Sequence, residues 1–108
     1  ASAYTKGLAE SGLILPHVPE WADPAWHLYV VRTSDRDALQ DRMTEAGIGT
    51  LIHYPIPPHM QQAYAGLRIA PNALPLAHTL ASEVLSLPMG PHLHDMETNN
   101  VICNVATK

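Results

Sequence analysis

Three prolines within four positions, Pro55, Pro57 and Pro58, constrain this chain more than any other feature. Each fixes its own φ and removes a backbone donor, and Tyr54 and Ile56 before them are pushed towards extended conformations. No helix or central strand runs through such a segment. The residues just upstream have the opposite character: Gly47 stops a helix, and Ile48, Thr50, Leu51 and Ile52 are apolar or β-branched. The stretch from Gly47 to His59 therefore reads as a strand that ends at about Ile52 and leaves by a rigid turn. His53 and Tyr54 sit at the junction. Adjacent side chains of a strand point to opposite faces, so both rings reach one opening only if the strand stops before them. Such a pair is placed to aim into a cleft. The plainer alternative is a strand terminus with a proline-rich turn.

The rest of the chain falls into short elements around this stretch. Ala3, Tyr4, Leu8 and Leu13 leave a weak helical stripe closed by Ser11-Gly12. Leu13 to Val18 is an apolar run broken by Pro16, and Pro19 to Pro24 reads as a loop. Trp26 to Arg32 is the clearest strand, aromatic and β-branched. A helix opens after it with Ser34 as cap and Asp37 at the capping-box position; it buries Leu39, Met43 and Ala46, and Gly47 ends it. Met60 to Leu67 reads as a short helix with Met60, Ala63, Tyr64 and Leu67 on one face. Pro75 suits the first position of the next helix, which carries Leu76, Leu80 and Val84 and stops near Leu85. Val84 to Leu87 reads as an edge strand because prolines bound it. Asp95 is placed to cap a last helix that buries Val101, Ile102 and Val105. The order is α-β-α-β-α-α-β-α, and the fold class is α/β (α+β): a small two-layer domain with about three strands covered on one face by helices.

Composition narrows the function classes. With 108 residues and 46% hydrophobic content, the chain is long enough for one core and is most simply one domain over 1–108. A net charge of −4 with no Lys/Arg cluster argues against nucleic acid as a partner. No apolar run reaches the roughly 20 residues that span a bilayer, so no membrane partner is expected. The N-terminus lacks the basic start and apolar core of a secretory signal. One cysteine, Cys103, excludes an internal disulfide framework, fits a reducing compartment and makes the cytoplasm the default location. The absence of an initiating methionine is expected of a fragment or a processed product.

Chemistry-bearing motifs are few. There is no Gly-x-Gly-x-x-Gly, phosphate loop or Gly-x-Ser-x-Gly elbow. The seven histidines invite a metal test, but His53 and His59 lie six apart across the prolines, and His92-x-His94 has no cysteine pair with it. Neither is a zinc spacing. Cys103 shares a helical stripe with Ile102 and reads as core. Arg32 and Arg36 lie where charges are usually solvated. Lys6 and Lys108 are the only lysines, one near each end, which leaves no interior lysine to form a Schiff base.

Four motifs carry a resemblance. Trp-His-Leu-Tyr-Val-Val-Arg, Arg-Asp-Ala-Leu, Ala-Gly-Ile-Gly-Thr-Leu-Ile-His-Tyr-Pro and Leu-Ala-Ser-Glu-Val-Leu-Ser-Leu-Pro-Met-Gly-Pro occur in that order. Together with Ala3-Tyr4 and Leu8 they resemble the C-terminal part of the DegT/DnrJ/EryC1/StrS aminotransferases over nearly the whole chain. The resemblance implies the small domain of a fold-type-I pyridoxal phosphate enzyme that transaminates nucleotide-linked keto sugars or cyclitols as a homodimer. It also implies that the cofactor is held by a large domain preceding this segment, which carries the Schiff-base lysine, the phosphate site and the ring-nitrogen aspartate. The expected partners are that large domain, a second copy of the full-length enzyme, the nucleotide sugar and an amino donor. His53 and Tyr54 carry over as substrate-contacting groups, and His59 as a weaker third. The different expectation is a stand-alone module that keeps this fold to grip a ligand or a protein partner. The coding sequence upstream discriminates between them, since a lysine-bearing large domain decides for the aminotransferase.

Overall fold

The computed structural model describes residues 1–106. Its centre is a two-stranded antiparallel sheet of β1 (Tyr29–Arg32) and β2 (Val84–Leu87), with Tyr29 opposite Leu87 and Arg32 opposite Val84. Period-2 alternation sends Tyr29, Val31, Leu85 and Leu87 to one face. There they form the core with Tyr4, Leu8, Leu39, Met43, Ile48, Val101 and Val105. These residues come from α1 (Ser2–Gly7), α2 (Arg36–Glu45) and α4 (Asp95–Ala106), or lie just past the end of α1 or α2. Val30, Arg32, Val84 and Ser86 alternate to the opposite face, beside α3 (Pro75–Glu83).

The expected third strand over 48–52 is reduced to one bridge. Leu51 exchanges both backbone hydrogen bonds with Ser86, at 3.2 and 2.8 Å. Ile48 is unavailable because it closes α2, its N–H donating to the Met43 carbonyl at 2.8 Å, and Pro55 ends pairing downstream. A second bridge joins Ile14 to Arg32 on the outer side of β1. With Leu51 on one side and β1 on the other, β2 is an inner segment rather than the edge strand expected, and all four of its residues are buried. β1 begins at Tyr29 and not at Trp26. Its partner runs out at Leu87, because Pro88 has no N–H to extend the ladder.

The helices form largely where their signals lie. At the end of α2, Gly47 adopts φ +73 and donates to the Thr44 carbonyl, while Ile48 donates to that of Met43. This is a Schellman closure, completed by the burial of Ile48 together with Met43. The start of α2 departs from expectation: Asp35 is the N-cap and makes no side-chain cap bond, and Ala46 is exposed. Pro75 opens α3, which ends at Glu83 because Val84, at ψ 140, enters β2 directly. In α4 the Glu97 carboxylate accepts the His94 N–H at 2.9 Å, half of a capping box. Cys103 faces solvent, contrary to the core position expected. The buried stripe of α4 runs through Val101 and Val105, one turn apart, and two residues on from Val101 points away from it.

The helix expected over Met60 to Leu67 is two 3₁₀ segments, Pro58–Met60 and Gln62–Leu67, separated by extended Gln61. Met60, Ala63, Tyr64 and Leu67 are all exposed, so no buried face holds an α-helix there. Residues 60–76 are nearly all exposed, so this stretch projects from the core, and the radius of gyration is 15.5 Å. A compact chain of this length has about 13 Å.

Candidate functional site

The site grows outward from β2. Ser86 is the one polar residue of Val84-Leu85-Ser86-Leu87, and it faces away from the helical core. Its backbone pairs with Leu51, which anchors the chain two residues before His53. The His53 ring turns back onto the strand, with Nδ1 2.9 Å from Ser86 Oγ. The peptide bond from His53 to Tyr54 is cis. The two rings meet edge to face, with centroids 5.4 Å apart and planes at 81°. The regular pairing has ended at Leu51, and both rings border one recess of about 240 Å³. Pro57, Pro58 and Ile56 form its far wall, and Ala77, Leu80 and Ala81 of α3 its floor.

The two rings differ in their surroundings. Tyr54 is 67% exposed, whereas His53 is half-buried and its Nε2 makes no hydrogen bond within the described residues. His53 also borders a second recess of about 260 Å³ beside Leu51, Ser86, Met89 and His92. Among the described residues no Asp, Glu, Lys or Arg lines either recess. The polar groups there are thus few and set in apolar walls, an arrangement that orients a ligand rather than attracting it over distance.

His59 lies elsewhere. It is buried, with 8% of its surface exposed, and its Nε2–H donates to the Pro71 carbonyl at 3.1 Å, so it fastens the start of the projecting stretch to its end. It does not border the recess shared by His53 and Tyr54. Two residues at the site escaped the sequence reading. Ser86 was present in the Ser-Leu-Pro motif, and its signal was a polar side chain inside an apolar strand. His92 stood out only as half of His92-x-His94, which points to a metal and not to this recess; its ring lies over Gly90, against the place a Cβ there would take. Among the described residues no group of three or more His, Cys, Asp or Glu side chains is gathered to hold a metal ion.

Comparison with known proteins gives the lineage. The model of the DegT/DnrJ/EryC1/StrS aminotransferase family matches residues 1–106. The erythromycin biosynthesis sensory transduction protein EryC1 of Saccharopolyspora erythraea is 51% identical over 94 residues, covering 87% of this chain and 26% of that protein. The dTDP-3-amino-3,4,6-trideoxy-alpha-D-glucose transaminase of Streptomyces venezuelae is 46% identical over 103 residues, covering 94% and 27%. The crystal structure of S. venezuelae DesV in complex with a ketimine intermediate superposes with a TM-score of 0.93 at 44% identity, over 97% of this chain and 29% of that one. The chain thus spans about a quarter of the length of these curated relatives. With its family model matched from residue 1 to residue 106, the chain belongs to the DegT/DnrJ/EryC1/StrS aminotransferases.

Proposed function

We propose that this chain is the C-terminal small domain of a pyridoxal phosphate-dependent aminotransferase that aminates a nucleotide-linked keto sugar or cyclitol. The observation that carries the reading is the pairing of His53 and Tyr54 on one open recess beside a sheet face that α3 covers only in part. The S. venezuelae relative named for a dTDP-amino sugar supports the substrate class. In this proposal the large domain closes over the recess, and two full-length chains form a cytoplasmic homodimer.

The residues here do not fit the cofactor itself. Lys6, the one lysine among the described residues, stands exposed at the end of α1 and not in the desolvated pocket that a Schiff-base lysine needs. The division of labour then follows. Amino transfer takes place on the large domain, and this domain binds and orients the sugar. His53 offers a ring nitrogen to a sugar or phosphate oxygen, and Tyr54 lays an aromatic face and a hydroxyl along the ligand. Closing the cleft over their apolar walls excludes water from the reaction. His59 acts at one remove, holding the stretch that forms the outer wall.

The test is kinetic, in the full-length enzyme. His53→Ala should lower turnover of the nucleotide sugar about tenfold or more, by loss of an orienting hydrogen bond in the closed cleft, while the half-reaction with the amino donor stays unchanged. Equal loss in both half-reactions, or in neither, sinks the assignment.

A further inference from the structure

We infer that Ser86 is a positioning residue that fixes His53 as the Nε2–H tautomer, so that the ring meets its ligand as a hydrogen-bond donor. The inference rests on the proposed role of His53 and deepens it, since it specifies what the ring recognises: an oxygen acceptor of the sugar or its phosphates.

The argument runs from the hydroxyl. Ser86 is 4% exposed and lies on an inner strand, with its N–H and C=O both committed to Leu51. Its Oγ has one hydrogen-bond partner among the described residues, His53 Nδ1 at 2.9 Å. Two arrangements of protons are open to such a pair. If Nδ1 carries the proton and donates to Oγ, the serine proton is left in a buried site with no acceptor. If Ser86 donates to Nδ1, both groups are satisfied and the ring proton moves to Nε2. The second arrangement leaves no orphan, and it sets the tautomer. Nε2 has no partner among the described residues and is not sealed from solvent, so its N–H remains open to a ligand.

The placement of Ser86 suits this role. The Leu51 bridge carries the chain along β2, and His53 follows two residues later within reach of the hydroxyl. The same serine therefore sets the ring's position through its backbone and the ring's proton through its side chain. Alanine at 86 would keep the first and lose the second. Free to exchange tautomers and to swing, the ring would present a donor for only part of the time.

Two measurements on the full-length enzyme test the inference. Neutron diffraction should find a deuteron on Nε2 of His53 and the Ser86 deuteron directed at Nδ1; a deuteron on Nδ1 overturns the assignment. The second measurement follows two half-reactions separately, one with dTDP-3-amino-3,4,6-trideoxy-alpha-D-glucose and one with L-glutamate; each amine gives its amino group to the cofactor of the full-length enzyme and leaves as the keto sugar or the keto acid. Ser86→Ala and Ser86→Cys should each raise the half-saturating amino sugar roughly three- to tenfold, the worth of one hydrogen bond, and leave the glutamate half-reaction unchanged. Ser86→Thr, which keeps the hydroxyl, should restore binding, and Ser86→Ala in a His53→Ala background should cost nothing further. Normal amino-sugar kinetics in Ser86→Ala beside an impaired His53→Ala reduce Ser86 to packing and overturn the inference alone. Normal kinetics in His53→Ala overturn the reading of His53 as a ligand contact, and the role of Ser86 falls with it, wherever the deuteron lies.

Discussion

Tyr4 shows how much a single side chain can commit. It is 2% exposed, packs its ring at a tilt against Tyr29 with centroids 5.1 Å apart, and donates its hydroxyl to the Pro88 carbonyl at 2.8 Å. Burial pushes its phenol up to about 12. The folded state thus holds this proton more tightly than the unfolded chain, where the phenol titrates near pH 10. The stabilisation linked to it is complete below about pH 10 and is lost as the pH rises to about 12, amounting to about 2–3 kcal/mol. Urea denaturation at intervals between pH 9 and pH 12 should therefore show wild type losing stability over that window, and Tyr4→Phe losing about that much less. Parallel curves would show that the phenol is not titrating from a buried site. At this scale the sequence was most informative where local chemistry was unusual. His53 and Tyr54 stood out because prolines stop the strand beside them, and their rings do border one recess. Ser86 did not stand out, since its partner lies 33 residues away and only the Leu51 bridge brings the two together.

The two ends of α2 depend on different kinds of contact. At its C-terminus Gly47, at φ +73, has no atom within 4 Å of where a Cβ would be, so a substitution there meets backbone strain and no clash. Gly47→Ala should cost about 1 kcal/mol, and Gly47→Val more, from the left-handed conformation alone. Unchanged urea midpoints in both variants would show that the turn relaxes. At the N-terminal end Arg36 is buried and its guanidinium donates to the carbonyls of Ala81 and Val84, both at 3.3 Å, tying α2 to the junction of α3 and β2. Arg36→Ala should cost about 1–3 kcal/mol through two bonds lost in a buried site, and Arg36→Lys should recover less than half of it. Recovery by lysine to wild-type stability would show that the charge suffices without the planar fork. The glycine was legible because a helix stop is local. Arg36 reads as solvated in the sequence because its acceptors come from residues 45 and 48 positions away. The 3₁₀ turns after Pro57 show the same reason in reverse: Met60, Ala63, Tyr64 and Leu67 have helical spacing, but all four are exposed and no buried face holds a helix there.

For the molecule as a whole, the two faces of the sheet are unequal. Three helices cover Tyr29, Val31, Leu85 and Leu87, while the opposite face carries a recess of about 410 Å³ bordered by Ile14, Trp26, Leu28, Val30 and Leu80. Ile14 is 57% exposed although its backbone is fixed to Arg32. Arg32 is the one charged residue on that border among the described residues, and its guanidinium is held by Glu83 at 2.7 Å. An apolar face of fixed geometry with its charge already paired is suited to burial against another surface. In the proposed enzyme that surface belongs to the large domain, which gives the last prediction. Ile14→Glu should leave the stability of this chain within about 1 kcal/mol, because the side chain buries little within it. In the full-length enzyme the same change places an unpaired carboxylate in a closed interface, which is costly to desolvate. Its thermal midpoint should fall, and amino-sugar turnover should drop more than in a control with the charge reversed at exposed Glu10, in the turn after α1, Glu10→Lys. If Ile14→Glu matches that control in both readouts, the face is open to solvent in the whole protein, and a docking partner must be sought along the projecting stretch from 54 to 74 instead.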